Sequence, residues 1–525
     1  MTRWSNWQQT YRWLLFPRKT RFPKRRSHWL PLTLTVVLVA GVVIWGPWLF
    51  ARITCRPGLV PSPNVWSQDS ECVGVSDGPY AFGLSAFEGV FQQIARQNEE
   101  AEKHPCGPGV APVTVGVLVT LTSPTTGGRA RHELEGFAAS QANANNSHSC
   151  VRSILLRVAQ IGKDEQAAVS VAQLLADSPD IVAVVGMGFS DQRSAQAVQT
   201  LANHQIPMVA DLITAEGFDQ NGSSEDHPDF STCADHGVYD SGIGRGFFYR
   251  VTYRVATQAT ALGQYLKKAA DFIITPTTAN DPFTCTALPL LHREFGENAH
   301  EVRFDPTDPT TVALSVQQLC RTEQDVTAVY AARAQDLSRF LIELDDQYQN
   351  GFCKSKSITV ASLSDASRIL APEPDANLES LRTQALTSTT FTDSKIKLVY
   401  TGIATREMLA MANYPGFRSL QGQFTDRTDL DDGWAINAYD ALTTVAAAVN
   451  IVPISGGITP SGVNTAIGSF SSDNPVPAAA QGPLTFDNNG NRSDSEPVVV
   501  RVCPATGPPP HSTTAEVYPS PVSCP

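Results

Sequence analysis

The chain lacks the marks of most common chemistries. There is no Walker A loop, no HExxH and no GxSxG in its 525 residues, so nucleotide hydrolysis, zincin proteolysis and the serine-hydrolase elbow have no local support. His132-Glu133 has no second histidine four residues on. Gly242-Ile243-Gly244-Arg245-Gly246 leads into a strand pattern rather than a helix, which is wrong for a dinucleotide loop. Acidic residues are scattered, and no two form a glycosidase pair. No catalytic residue, cofactor or metal ligand is expected. Charge is scarce: 17% of residues are Asp, Glu, Lys or Arg, with a formal net charge of -12. That balance argues against a general nucleic-acid binder, which needs a basic surface, and against a disordered acidic chain.

Acidic residues are also missing from the first 68 positions, while residues 1–56 hold ten basic ones. The remaining 29 basic and 51 acidic residues give a net charge of -22. Next to the basic cluster Arg18–Arg26, Leu30 to Phe50 runs for 21 residues without a charge. At 1.5 Å per residue this spans about 30 Å, the thickness of a bilayer's hydrocarbon core. Trp29, Trp45 and Trp48 stand near its ends, where indole rings favour the interface. The positive-inside rule places the N-terminus in the cytoplasm and the rest outside. A cleaved signal peptide would have a shorter apolar core, about 7–15 residues, so an uncleaved anchor is expected.

All ten cysteines follow the apolar segment, and none has CxxC spacing. Outside the cytosol paired thiols oxidise, which points to disulfides rather than a metal site. Proximity along the chain suggests Cys55–Cys72, Cys106–Cys150, Cys320–Cys353 and Cys503–Cys524, leaving Cys233–Cys285.

Hydropathy then sets a rhythm. Leu84–His104 has apolar residues at helical spacing. Val113–Leu121 is a buried-strand run, Arg131–Asn145 a helix, Ser153–Gln160 a strand and Asp164–Asp177 a helix. Ile181–Gly186 is a strand, Ser190–His204 a helix and Pro207–Leu212 a strand. After an irregular stretch, Gly217–Gly246, the alternation restarts at Phe247–Arg254 and continues to a strand at Ile358–Ala361. Strands alternating with helices of this length give βαβ units and parallel sheets. Gly433–Val449 is a late helix. Residues 482–502 suggest a hairpin turning at Asn488-Asn489-Gly490, and the Pro-rich last twenty residues suggest a loose tail.

From Val113 to Val502 the ectodomain resembles the type I periplasmic binding proteins, in particular the leucine/isoleucine/valine-binding branch. The landmarks, in order, are VGVLVTLTSPTTGG, GFAASQANAN, DEQAAVSVAQLLAD with IVAVVGMGFSDQRSAQAV, IPMVADLITAE, FFYRVTYR, DGWAINAYDAL and GPLTFDNNGNR. The resemblance implies an α/β fold of two Rossmann-like lobes with parallel sheets, joined by three strands, with ligand trapped between them. That agrees with the physics of open α/β sheets, which bind ligands at the carboxyl ends of their strands.

Carried over by position, the resemblance assigns Ser190 to a ligand carboxylate; the residue is equally suited to cap the following helix. Leu212, Ile213 and Thr214 match the loop that meets the ligand, although Leu212 and Ile213 are bulkier than the family's residues, which argues against an ordinary amino-acid pocket. Asp365 matches the acid that pairs with a ligand ammonium, or it caps a helix. Arg333 stands where the family often has tyrosine, to hold a carboxylate or to face solvent. Thr122 and Ser123 fall in the first loop, and Asp281 in the corresponding loop of the second lobe.

The expected organisation is a basic cytoplasmic tail (1–28), a transmembrane helix (29–51), a connector with one helix (52–112), a first lobe (113–250 plus roughly 415–480), a second lobe (251–414 plus roughly 481–503) and a Pro-rich tail (504–525). The resemblance implies a membrane-tethered extracytoplasmic solute-binding protein of an ABC-type uptake system, with a small polar ligand such as an amino acid and a permease or other membrane partner. Two alternatives stay open: a ligand-sensing receptor ectodomain, and a scaffold whose cleft has degenerated.

Overall fold

The structure is a computed structural model; it describes residues 55, 64–76, 78–107, 109–219, 233, 242–278, 281–296, 299–402, 404–454, 457–505 and 511–524. The expected anchor, Leu30–Phe50, lies outside the described residues. Among the described residues no helix is long and apolar enough to cross a membrane.

The chain divides into two compact units, Met1–Cys72 and Val73–Pro525. In the first, the described residues comprise strand β1 (Val65–Gln68), the start of β2 (Glu71–Ser76) and the Cys55–Cys72 disulfide. The second unit holds the remaining described residues.

Two sheets organise it. The first holds β2, β4 (Ile154–Gln160), β3 (Val113–Val119), β5 (Ile181–Gly186), β6 (Met208–Ala210) and β7 (Phe248–Arg250) in that spatial order. All pairings from β4 to β7 are parallel, and β2 joins antiparallel. Every residue of β3 and β5 is buried. This is why VTVGVLV and IVAVVG are near-continuous apolar runs, with Thr114 donating to Asp180 at 3.0 Å: a parallel strand covered on both faces has no solvent side. The second sheet runs β14 (Thr514–Tyr518), β13 (Val498–Val502), β12 (Ile396–Gly402), β11 (Ile358–Ser362), β10 (Val326–Tyr330), β8 (Phe272–Pro276) and β9 (His300–Phe304). Its β9-to-β12 core is parallel and its β13–β14 edge antiparallel. Apolar clusters cover both faces, one around Tyr330 and Phe340, the other around Ile273 and Leu290.

The chain passes between the two lobes three times: after β7 into helix Val255–Tyr265, after β12 into helix Arg406–Ala412, and between Arg492 and β13. Helix Trp434–Ile451 therefore belongs to the first lobe. It is buried from Trp434 to Val449 and lies against helix Arg129–Asn146. The two backbones approach so closely that a Cβ on Gly136 would sit 2.3 Å from the Ala435 carbonyl oxygen.

Several elements differ from the sequence reading. The helix expected over Asp164–Asp177 begins only at Ala168, because Asp164–Ala167 is a turn that carries Glu165 inward at φ 55°. The hairpin expected over 482–502 is reduced to a single bridge, Phe486–Arg492, around a turn with Gly490 at φ 83°. The strand that follows, β13, pairs instead with β12 and β14. Within the tail expected to be loose, residues 511–524 are ordered: β14 extends the second sheet, and the Cys503–Cys524 disulfide ties them down. Within the connector, helix Glu88–Lys103 packs Phe91 and Ile94 into the first lobe. Its Asn98 donates to the Leu156 carbonyl at 2.8 Å and accepts from the Leu156 N–H at 2.9 Å, covering β4 where β2 has ended.

Candidate functional site: the cleft between the lobes

Parallel strands of both lobes direct their carboxyl ends at one another. The loop after β3 carries Thr122 and Ser123, the loop after β5 carries Phe189 and Ser190, and the loop after β6 carries Leu212 to Thr214. Facing them are Asp281 after β8, Arg333 after β10 and Asp365 after β11. Such opposed edges are where this class of sheet places ligands, because backbone groups and helix starts converge there.

Six of the nine residues singled out from sequence meet here. Leu212, Thr214, Arg333 and Asp365 line a small cavity with Arg129, Phe189, Phe283, Ser364 and Trp434. Ser190 and Asp281 contact that lining directly, through Thr214 and Arg333. Three stand apart. Ile213 is wholly buried beneath the loop, and its carbonyl accepts from Arg250. Thr122 accepts from Gln160 at 3.0 Å. Ser123 caps its own turn, accepting from the N–H groups of Thr125 and Thr126.

The cavity measures about 20 Å³, room for about one water molecule. Pockets for drug-sized ligands measure about 300–1,000 Å³, so this is a closed cleft filled by the protein's own side chains. Arg129 lies at its centre of contacts. Its side chain is 0% exposed, and its guanidinium lies 4.2 Å from the Trp434 ring centre. Nη2 reaches Asp365 Oδ1 at 3.2 Å and the Thr125 carbonyl at 3.0 Å. Nη1 reaches the Asp365 carbonyl and Ser367, and Nε the Thr126 carbonyl. Asp365 Oδ2 accepts from the Ala334 N–H at 2.8 Å. Burial alone would raise the Asp365 pKa, but Arg129, Arg333 and that N–H outweigh it and hold the carboxyl below its ordinary value.

The other anchors are also engaged. Ser190 Oγ accepts from the N–H groups of Thr214 and Ala215, each at 3.0 Å, so it bridges two loops rather than capping the next helix, whose cap is Asp191. Arg333 stacks on Phe283 at 4.6 Å, donates to the Ser190 carbonyl at 2.7 Å and pairs with Asp281 at 2.8 Å. Asp281 also caps helix Pro282–Phe295. Arg368 of the second lobe pairs with Glu373 and donates to the carbonyls of Pro124 and Thr125 in the first.

Beneath the cleft lies a group of acids that sequence reading passed over. Glu133 and Asp211 are raised well above the ordinary carboxyl range, Glu133 by burial and the neighbouring Asp211, Asp211 by burial. Glu165, also buried, is pushed up to about 8. Arg129 itself was missed too. A signal for it exists: helix Arg129–Asn146 has two arginines and no acid in its first turn, the wrong sign for a helix N-terminus. A cation placed there needs another reason, and Asp365 supplies it.

No protein-family profile matches the sequence, and no curated protein matches it. Solved structures do. A leucine-binding protein from Thermotoga maritima superposes with a TM-score of 0.53 at 15% identity, covering 74% of this chain and 95% of its own. The fold is that of the type I periplasmic binding proteins. A branched-chain amino acid transporter substrate-binding protein from Streptococcus pneumoniae, in complex with isoleucine, gives 0.51 at 13% identity over 77% of this chain and 99% of its own. A solute-binding protein of an ABC transporter from Rhodopseudomonas palustris, in complex with 4-hydroxybenzoate, gives 0.52 at 14% identity, covering 77% and 95%. These periplasmic binding proteins share the fold of this chain at 13–15% sequence identity.

Proposed function

We propose that this chain is an extracytoplasmic solute-binding protein, tethered to the membrane by Leu30–Phe50, that captures a small carboxylate-bearing solute between its lobes and presents it to an ABC-type permease. The observation that supports it best is the convergence of Ser190, Thr214, Arg333 and Asp365 on one cleft at the facing strand ends. Capture would close the lobes about the three crossings, and tethering would keep the protein at high effective concentration beside its partner. No catalytic step is needed. The test is a thermal-shift screen of the full chain in lipid nanodiscs against amino acids, organic acids, small peptides, sugars and nucleobases. A ligand that binds only the native state stabilises it by about 2.7 kcal/mol at a hundredfold excess over Kd. Co-purification with a permease tests the transport half of the reading.

A second reading is favoured by one observation. The cleft is already closed, with about 20 Å³ left inside it and each anchor engaged by the chain itself. A protein that keeps this state would be a scaffold for a membrane partner rather than a carrier. Absence of a thermal shift with every solute class, together with lobes that stay closed in solution scattering, would favour it.

A further inference from the structure

We infer that Arg129 is a tethered counter-ion occupying the place of a ligand ammonium at Asp365, so that the cleft selects carboxylic acids carrying no amine. The inference rests on the solute-binding reading above and narrows its ligand class.

Asp365 is the acid available to an ammonium among the residues lining the cavity. Both of its carboxylate oxygens are taken, Oδ1 by Arg129 and Oδ2 by the Ala334 N–H. Arg129 adds a further bond to the Asp365 backbone carbonyl, so the guanidinium grips the residue at two points. On its other side it is held by the Thr125 and Thr126 carbonyls and the Trp434 face, all in the first lobe. When the lobes part, Arg129 keeps those contacts and stays aimed across the cleft. A ligand bearing an ammonium would have to displace it from Asp365 on closure. That would leave a guanidinium with 0% exposure and no carboxylate partner, a buried unpaired charge, which is the costly outcome. Rejection of the amine thus comes from a repulsive element built into the site.

The remainder of the lining suits an acid with an apolar body. Phe189, Leu212, Phe283 and Trp434 form the walls. Arg333 is the less buried cation: its side chain is 21% exposed against 0% for Arg129, and one of its present acceptors is Asp281, itself 27% exposed. A guanidinium in that setting can exchange a rim carboxylate for a ligand carboxylate without burying a new charge alone.

The experiment compares pairs that differ only in the α-ammonium: phenylalanine with 3-phenylpropanoate, and leucine with 4-methylpentanoate. Affinities are measured by titration calorimetry on the full chain in nanodiscs, for wild type, Arg129→Ala and Arg129→Gln. The expected result is at least a hundredfold preference of wild type for the amine-free acid, narrowed tenfold or more in either variant because Asp365 becomes available. An amino acid bound as tightly as its deaminated partner would overturn the inference and leave the solute-binding reading standing. So would a sugar, nucleobase or peptide bound in the screen when no member of the pairs binds. Variants that lose stability while keeping the wild-type preference would assign Arg129 to packing alone. If a variant does not fold, the wild-type ratio decides by itself. No binding of any solute would overturn both this inference and the reading beneath it.

Discussion

The ring nitrogen Nδ1 of His132 lies 2.6 Å from Asp432 Oδ2, across 300 residues of sequence. Its Nε2 faces Asp429 at 3.2 Å, so one imidazole ties helix Arg129–Asn146 to the start of helix Trp434–Ile451. Burial opposes the charge, but Asp432 and Asp429 outweigh it and push the His132 pKa up to about 10. A folded value above the unfolded one stabilises fully below about pH 6.5, and the contribution is lost as pH rises toward 10. Urea unfolding at pH 6 and pH 9 is expected to show wild type losing stability over that range relative to His132→Gln. At pH 6 the substitution is expected to cost about 3 kcal/mol, because Asp432 is left buried without its cation.

Glu165 gives a second pH signature. Its Oε1 accepts the Phe189 N–H at 2.7 Å, and Ser194 donates to Oε2. Burial, with Asp191 nearby, pushes its pKa up to about 8 against those hydrogen bonds. The protonated form is the favourable one, so its contribution is present below about pH 4.5 and lost as pH rises through 8. Glu165→Gln keeps the shape without the charge. It is expected to remove this loss, leaving the variant the more stable form at pH 9, as a pH series of thermal melts would read.

Much of this fold was legible because its signals are local or periodic. Val113–Val119 and Ile181–Gly186 declare buried parallel strands by having no polar face, and the five cysteine pairings followed proximity in the chain. Asp365 and Arg333 were singled out by their positions in the family resemblance, and the structure brings both to the facing strand ends. Arg129 was not, because its role depends on a partner 236 residues away and no spacing rule links the two. β14 was overlooked because prolines flank it, Pro508–Pro510 before and Pro519 after, although the strand itself reads TAEVY and holds none. Strand β12, which reads IKLVYTG, was passed over although its apolar centre is as clear as that of β11.

Gly128 governs how closely the lobes meet. A Cβ there would stand 2.0 Å from the Pro372 carbonyl oxygen of the opposite lobe, and backbone cannot swing away as a side chain can. Gly128→Ala is expected to hold the lobes apart and to cost about 1–3 kcal/mol of stability, the usual range for overpacking. Small-angle scattering should show a larger radius of gyration than wild type. Gly89→Ala is the control, since nothing lies within 4 Å of its Cβ. Placed in helix Glu88–Lys103, it is expected to gain about 0.5–1 kcal/mol.

The Cys233–Cys285 disulfide joins the long insertion between β6 and β7 to helix Pro282–Phe295 and closes a span of 52 residues. Cys285 is wholly buried in that helix, three residues from the Pro282 carbonyl it faces. Linking two points this far apart restricts the unfolded chain more than a short loop does. The chain-entropy relation gives about 4 kcal/mol for a loop of this size and about 3 for one the size of Cys55–Cys72, which spans 17. Replacing both Cys233 and Cys285 by serine is therefore expected to lower stability by about 2–4 kcal/mol in denaturant melts, more than the corresponding Cys55 and Cys72 pair. Peptide mapping without reductant should recover the remaining four linkages unchanged. A double variant as stable as wild type would mean that the insertion is anchored by contacts other than the disulfide.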